Sequence, residues 1–261
     1  MFDYHIHSKL SFDSEEIPEK IVSEAEVRGL KEICFTDHYE FHGNPDGEHY
    51  IFTIEDYAKA YDHLSSRKTK IRLGIEMGLT LWNKQEVDDF LGKRDFDFVL
   101  GSIHYSGGYD PYFPDYWEGI DFRQGVDKYL EDTLYCVKIH DNFDVLGHLT
   151  YIFKSAYNPT HSTLPYSEVK DIADEIMRVI VSKGKGMEIN TSGVDRTGDF
   201  LPSIDYLKRF RELGGEIVTV GSDSHDISRL GQYSDEALAI LKEVFGYVCT
   251  FENRKPIFHK I

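Results

Sequence analysis

The sequence predicts an α/β chain folded as a distorted seven-stranded (β/α)7 barrel, a TIM-like barrel whose chemistry sits at the carboxyl ends of its strands. Three observations predict it. Seven short, mostly apolar runs recur along the 261 residues. Helical patterns alternate with them, and nearly every run ends in residue types that bind metal ions. No Pro/Ser-rich linker, low-complexity tract or internal repeat breaks the alternation, so one domain over residues 1–261 is expected.

The seven runs are Phe2–Ile6, Glu32–Thr36, Lys70–Glu76, Phe96–Ser102, Phe143–Gly147, Gly186–Asn190 and Glu216–Gly221. Their continuous hydrophobicity is that of strands buried on both faces, as in a parallel sheet. Helical patterns lie between them, for example Ile17 to Arg28 after Ser14, Ile54 to Arg67 after Thr53, and Ser167 to Ser182, each opening at a capping residue. The tail from Tyr247 to Ile261 reads as a short extended appendage rather than an eighth βα unit.

Composition narrows the function classes. A chain that is 41% hydrophobic buries one large core. Acidic residues outnumber basic ones by 46 to 29, and the formal charge of −17 repels a phosphate backbone, which argues against long nucleic acid as a partner. A small anionic substrate is still compatible, because bound divalent ions reverse the local field. The start, MFDYHIHSKLSFDSEE, lacks the basic and apolar regions of a signal peptide, and no stretch is long enough to span a bilayer. A cytoplasmic protein with no membrane partner is expected. Cys34, Cys136 and Cys249, an odd number with no close pair, suit buried packing thiols in a reducing compartment.

The runs end in HIH, TDH, GIE, GSIH, LGH, EINTSG and GSDSH. His5 and His7 are two apart on an extended chain, so their rings share a face and can grip one ion. A lone pair of this kind is weak evidence. Asp13, His38, Glu76, His104, His148, Asp223 and His225 each end or follow a predicted strand, and their convergence on one rim is what a metal centre requires. Asp37 beside His38 is expected to orient a ligand by hydrogen bonding. His42, His49, His63, His140, His161 and His259 fall in helices, loops or the tail and are assigned surface or packing roles.

These motifs resemble the PHP (polymerase and histidinol phosphatase) phosphoesterases and, within them, the histidinol-phosphate phosphatases. The resemblance covers the whole chain through HIH at 5–7, TDH at 36–38, GIE at 74–76, GSIHY at 101–105, GH at 147–148, EINTSG at 188–193 and GSDSH at 221–225. It implies a cofactor of three divalent metal ions, Mn²⁺, Fe²⁺ or Zn²⁺. His5, His7, Glu76 and Asp223 hold the first in that pattern. Glu76 bridges to a second with His104 and His148, and Asp13, His38 and His225 hold the third. Many relatives have a histidine at the place of Asp13, and an oxygen ligand there favours a harder ion such as Mn²⁺ or Fe²⁺.

The resemblance further implies hydrolysis of L-histidinol phosphate, a step of histidine biosynthesis, by attack of a metal-activated hydroxide on phosphorus, with Glu76, Asp223 and His225 as the catalytic set. Serine or cysteine nucleophiles are disfavoured, because the nearby histidines are assigned to metal and no HCxxxxxR loop occurs. Arg196, six past Asn190, corresponds to a phosphate-binding arginine of the family, and Lys154 and Arg229 are further phosphate candidates. The segment YSGGYDPYFPDYWEGIDF after the fourth strand reads as a lid. Tyr112, Phe113, Tyr116 and Trp117 are its candidate wall for an imidazole, and Asp115 or Glu118 its candidates for a substrate ammonium. Two other readings stay open: a nucleotide or phosphotyrosine phosphatase of the same architecture, and a noncatalytic metal-stabilised module.

Overall fold

The computed structural model describes residues 1–261 apart from 156, 159, 161 and 162, so His161 lies outside the described residues. Seven strand positions run parallel around a nearly closed barrel. They are β1 (Phe2–Ile6), β2 (Glu32–Phe35) continued by β3 (His38–Tyr39), β4 (Lys70–Gly78), β5 (Phe98–Ser102), β6 (Val145–Leu146), β7 (Gly186–Asn190) and β8 (Val218–Gly221). β2 and β3 are one position interrupted at Thr36 and Asp37: Glu32 lies opposite Lys70 and His38 opposite Glu76 in unbroken register. The seam between β8 and β1 closes through one bridge, Ile6 with Ser224, and the His7 N–H donating to the Ser224 carbonyl at 2.9 Å.

Helices α1 (Pro18–Arg28), α2 (Ile54–Tyr61), α3 (Lys84–Leu91), α4 (Phe122–Ile139), α5 (Tyr166–Ser182), α6 (Val194–Thr197), α7 (Ile204–Glu212) and α8 (Ser234–Val244) connect the strands. Among the described residues no helix is long and apolar enough to cross a membrane. Outward strand residues such as Ile33, Phe35, Ile75, Val99, Leu146, Ile189 and Val220 join the helices in one large core. Their alternate neighbours point inward, so the barrel interior is built from Tyr4, Cys34, Phe98, Leu100 and Val145 below and polar residues above.

Two helix starts differ from expectation. α1 begins at Pro18, whose missing N–H costs nothing in a first turn, and Ser14 instead donates its hydroxyl to the His225 carbonyl at 2.9 Å. α5 follows Pro165, with no side-chain cap. Thr53 does cap α2, in a reciprocal box with Asp56. That helix ends at Tyr61 rather than Arg67: the Tyr61 carbonyl accepts the Leu64 N–H in a turn, and farther on the Ser66 hydroxyl accepts the N–H groups of Lys68 and Thr69.

The tail is no appendage. β9 (Tyr247–Glu252) and β10 (Lys255–Lys260) form an antiparallel hairpin, turning through Asn253 and Arg254, both left-handed. Cys249 and Phe251 enter the inner apolar cluster beside Tyr4 and Phe98. The Phe251 N–H donates to the Tyr4 hydroxyl at 2.9 Å, and Arg254 reaches Asp97 and Asp144 at the starts of β5 and β6. The hairpin thereby plugs the amino-terminal end of the barrel, opposite the metal-binding motifs. Its short apolar run, read alone, gave no sign of that packing. The three cysteines are free and buried.

Phe251→Ala is expected to cost about 3–5 kcal/mol of stability, the usual range for emptying a buried aromatic site, measured by chemical denaturation. A loss below about 1 kcal/mol would mean that the hairpin is not part of the core.

Candidate metal centre

The strand ends bring all nine candidate ligands to one rim. β1 is the device that starts it. Tyr4 packs into the inner cluster while His5 meets Glu76 and Glu188, so two successive residues face the interior. A register slip between Asp3 and Ile6 accommodates them, as bulges do where a side chain must be re-aimed. Alternation then turns Ile6 out and His7 in. Gly221 makes room opposite: a Cβ there would lie 2.2 Å from Glu188 Oε1 and 2.4 Å from the His5 Cβ.

Glu76, fully buried on β4, stands at the middle. Its Oε2 is 3.1 Å from His5 Nε2, 3.5 Å from His7 Nε2 and 2.9 Å from His38 Nδ1. Its Oε1 is 3.0 Å from His148 Nε2 and 3.3 Å from His104 Nε2, and those two nitrogens are 3.3 Å apart. Asp223 closes the first group, with Oδ1 3.3 Å from His7 Nε2 and 3.6 Å from His5 Nε2. A third group forms at the mouth: Asp13 Oδ2 lies 3.1 Å from His225 Nε2 and 3.5 Å from His38 Nε2.

The tautomers of four rings follow from what their other nitrogen meets. The Glu188 carboxylate is 2.7 Å from His5 Nδ1 and the Glu40 carboxylate 2.7 Å from His104 Nδ1. Carboxylates accept, so both Nδ1 atoms carry the proton and both Nε2 lone pairs face the centre. His225 Nδ1 likewise donates to the Asp223 carbonyl at 3.0 Å. Ser11 gives its one proton to Asp37 at 2.9 Å and therefore accepts from His7 Nδ1 at 3.0 Å. Asp37 thus orients His7, through Ser11, rather than its neighbour His38.

Buried polar atoms without hydrogen bonds concentrate here: His5 Nε2, His7 Nε2, His38 Nδ1 and Glu76 Oε2, with Glu40 Oε1 beside them. Such orphans are costly unless something satisfies them. Nitrogen lone pairs and carboxylate oxygens facing one another at about 3–3.6 Å are what a divalent cation between them would satisfy, so the donor set fits metal. The electrostatics agree. Burial opposes ionisation of Glu76, yet His5, His38 and His104 hold its carboxyl well below its usual range. Burial likewise resists protonation of His5, and Glu76, Glu188 and Asp223 overcome it and raise the ring well above its ordinary value. Burial, then His225 and His38, push His7 well down. The carboxylates attract positive charge that the crowded rings cannot all carry as protons.

Asp223 occupies the left-handed region, with φ 53. For a non-glycine residue this costs about 1–2 kcal/mol, and such strain gathers at functional sites. It lets the two oxygens divide their work, because Oδ2 accepts from Lys154 Nζ at 2.8 Å and from the Ser192 hydroxyl at 3.0 Å while Oδ1 faces the histidines. Ser222 is structural, giving its hydroxyl to Asp3.

Above the cluster opens a pocket of about 430 Å³, walled by Phe12, Tyr50, Tyr105, Tyr112, Phe113 and Tyr151 and reached by Lys154. Phe12 stacks on Tyr50 at 4.1 Å. Neither was a candidate, since no motif marks them; Tyr112 and Phe113 were.

Several expected substrate contacts are corrected. Tyr116 and Trp117 are 5% and 7% exposed and face away from the pocket. The Tyr116 hydroxyl donates to the Gly125 carbonyl at 2.6 Å and Trp117 Nε1 to that of Pro111 at 2.9 Å, so both pin the lid segment to α4 and to itself. Asp115 and Glu118 are exposed outside the pocket. Arg196 is also exposed and donates to the Lys154 carbonyl at 3.0 Å, and Arg229 pairs with Asp195 at 3.0 Å. Neither arginine is among the residues that line the pocket, although the Arg196 guanidinium lies 6.0 Å from the ring of Tyr112, which does line it. His42, His49, His63, His140 and His259 stand outside the ligand groups. Glu40 and Glu188 went unassigned in the sequence, although Glu188 opens EINTSG.

The PHP domain family matches residues 3–192. The histidinol-phosphatase of Lactococcus lactis subsp. lactis (strain IL1403) is 35% identical to 97% of this chain, over 95% of its own length. A crystal structure of histidinol phosphate phosphatase from that organism, complexed with zinc, L-histidinol and phosphate, superposes with a TM-score of 0.87 at 32% identity, covering 98% of each chain. A structure of metal-dependent tyrosine phosphatases from Bacillus subtilis and Streptococcus pneumoniae shares the fold alone, with a TM-score of 0.51 at 18% identity over 94% of this chain and 88% of that one. The nine converging side chains, their carboxylate-oriented histidines and this full-length similarity agree: the chain belongs to the PHP family and, within it, to the histidinol phosphatases.

Proposed function

We propose that this chain is a metal-dependent phosphomonoesterase that hydrolyses L-histidinol phosphate to L-histidinol and phosphate, as one catalytic unit over residues 1–261. The observation that carries the chemistry is the set of inward Nε2 lone pairs around Glu76 at the floor of a small pocket. The substrate follows from the relative whose structure holds L-histidinol and phosphate over the same fold.

The donor set suits three divalent ions. His5, His7, Glu76 and Asp223 would hold one, Glu76, His104 and His148 a second, and Asp13, His38 and His225 a third. Zinc is the ion named for the relative, and the oxygen of Asp13 also suits Mn²⁺ or Fe²⁺. Divalent ions held there would supply a nucleophilic water at neutral pH and offset charge on the phosphoryl oxygens. The protein's own groups do the rest. Glu188, Glu40 and Ser11 fix the rings so that no reorientation is needed when substrate arrives. Lys154 leaves its contact with Asp223 Oδ2 to take a phosphoryl oxygen, a charge-assisted bond directed by the strained aspartate. The aromatic walls exclude water from the reacting face. Asp223 and His225, at the junction of the first and third groups, complete the catalytic set with Glu76.

Steady-state kcat/KM on L-histidinol phosphate, beside nucleoside monophosphates, phosphotyrosine and sugar phosphates, tests this reading. The expected result is a preference for L-histidinol phosphate of at least about 100-fold, since a site built to pair a substrate's polar groups rejects analogues that lack them. Faster turnover of phosphotyrosine or a nucleotide would contradict it. Lys154→Ala is expected to lower kcat/KM by about 10- to 100-fold through loss of a charge-assisted contact. Arg229→Ala, whose side chain pairs with Asp195 outside the pocket, should change it less than about threefold.

A further inference from the structure

The pocket has two chemically different ends, and only the phosphate end is accounted for. A single helical turn, Tyr151–Lys154, sets both. Lys154 points to Asp223, and the Tyr151 hydroxyl donates to Asp110 Oδ1 at 3.1 Å. The Tyr151 ring lies 5.2 Å from the ring of His104 and 5.1 Å from that of His148. One tyrosine ring therefore separates Asp110 from the second ligand group, a span on the scale of an aminoalkyl phosphate.

Asp110 lines the pocket on the lid segment, between Tyr105 and Tyr112. Its partners are the Tyr112 N–H, at 2.8 Å, and the Tyr151 hydroxyl. Both are neutral, so no lysine or arginine among the described residues pairs with this carboxylate. Burial pushes its carboxyl up to about 6. A cation arriving there would relieve that cost. The other acids of the pocket are engaged. Asp13 and Asp223 face the histidine cluster, and Glu40 holds His104 through Oε2, its Oε1 being buried without a hydrogen bond among the described residues. Asp115 and Glu118, the acids of this segment that the sequence offered for the role, face solvent.

We propose that Asp110 is the specificity-determining carboxylate that receives the substrate's ammonium group, beside the aromatic wall of Tyr112 and Phe113. The assignment rests on the histidinol-phosphatase reading and deepens it. An amino group next to the phosphorylated carbon lies close enough to the ester to reach past Tyr151 while the phosphate is held at Lys154. An ester without that amine leaves Asp110 unanswered.

Asp110→Asn tests it. The amide oxygen can still accept from Tyr112 and Tyr151, so shape and lid turn are kept and the charge alone is lost. The substrates are L-histidinol phosphate and imidazolylpropyl phosphate, the same ester without its amino group. The expected result is a loss of about tenfold or more in kcat/KM on the first, carried by KM, and a change within about twofold on the second. L-histidinol binding, measured by calorimetry, should weaken by a similar factor while inorganic phosphate binding is unchanged. Equal losses on both esters, or no loss on either, would overturn the assignment. Failure of the unmutated protein to hydrolyse L-histidinol phosphate would overturn the functional reading and this one with it, and that outcome is visible before any variant is made.

Discussion

A carboxylate with no exposure to water and, among the described residues, no lysine or arginine against it is the constraint on which the structure turns. Glu76 can be buried only because five imidazoles point a nitrogen at it. Those rings must come from several strands, since no single element presents five at one point, and a parallel barrel delivers strand ends to a common rim. The bulge in β1, the glycine at position 221 and the left-handed turn at Asp223 are local departures from regularity that serve this convergence. The hairpin at the opposite end stabilises it indirectly, by filling the interior that the polar upper layer cannot fill.

Around that centre the protein separates holding from orienting. The rings that meet at the middle have different Nδ1 partners: a carboxylate from β7, one following β3, a serine tied to Asp37, and a backbone carbonyl. Each fixes a tautomer before any ion or substrate is present. The arrangement concentrates rigidity where charge develops and leaves the outer pocket to softer contacts from aromatic side chains and the lid segment.

The sequence revealed the strand ends more clearly than anything else. Seven apolar runs terminating in His, Asp and Glu located the rim, and the nine ligand candidates meet there, because β alternation and barrel topology leave such residues few other places to go. What it hid depends on tertiary direction. Tyr116, Trp117 and Arg229 lie in segments that adjoin the site, yet bonds to α4, within the lid segment and to Asp195 turn them away. Phe12 and Tyr50 reach the pocket from loops that carry no motif. Glu40 and Glu188 look like any other acids until the histidine each one faces is known. The tail was misread because a hairpin's worth depends on what it covers, and its own residues do not say.

The role of Glu76 as the carboxylate shared by two of three ions is tested most directly by metal analysis and anomalous diffraction on the protein and on Glu76→Ala. Three ions are expected in the unmutated protein. In the variant, loss or disorder of the two positions beside residue 76 and no turnover are expected. Unchanged metal content with a normal rate in Glu76→Ala would contradict it.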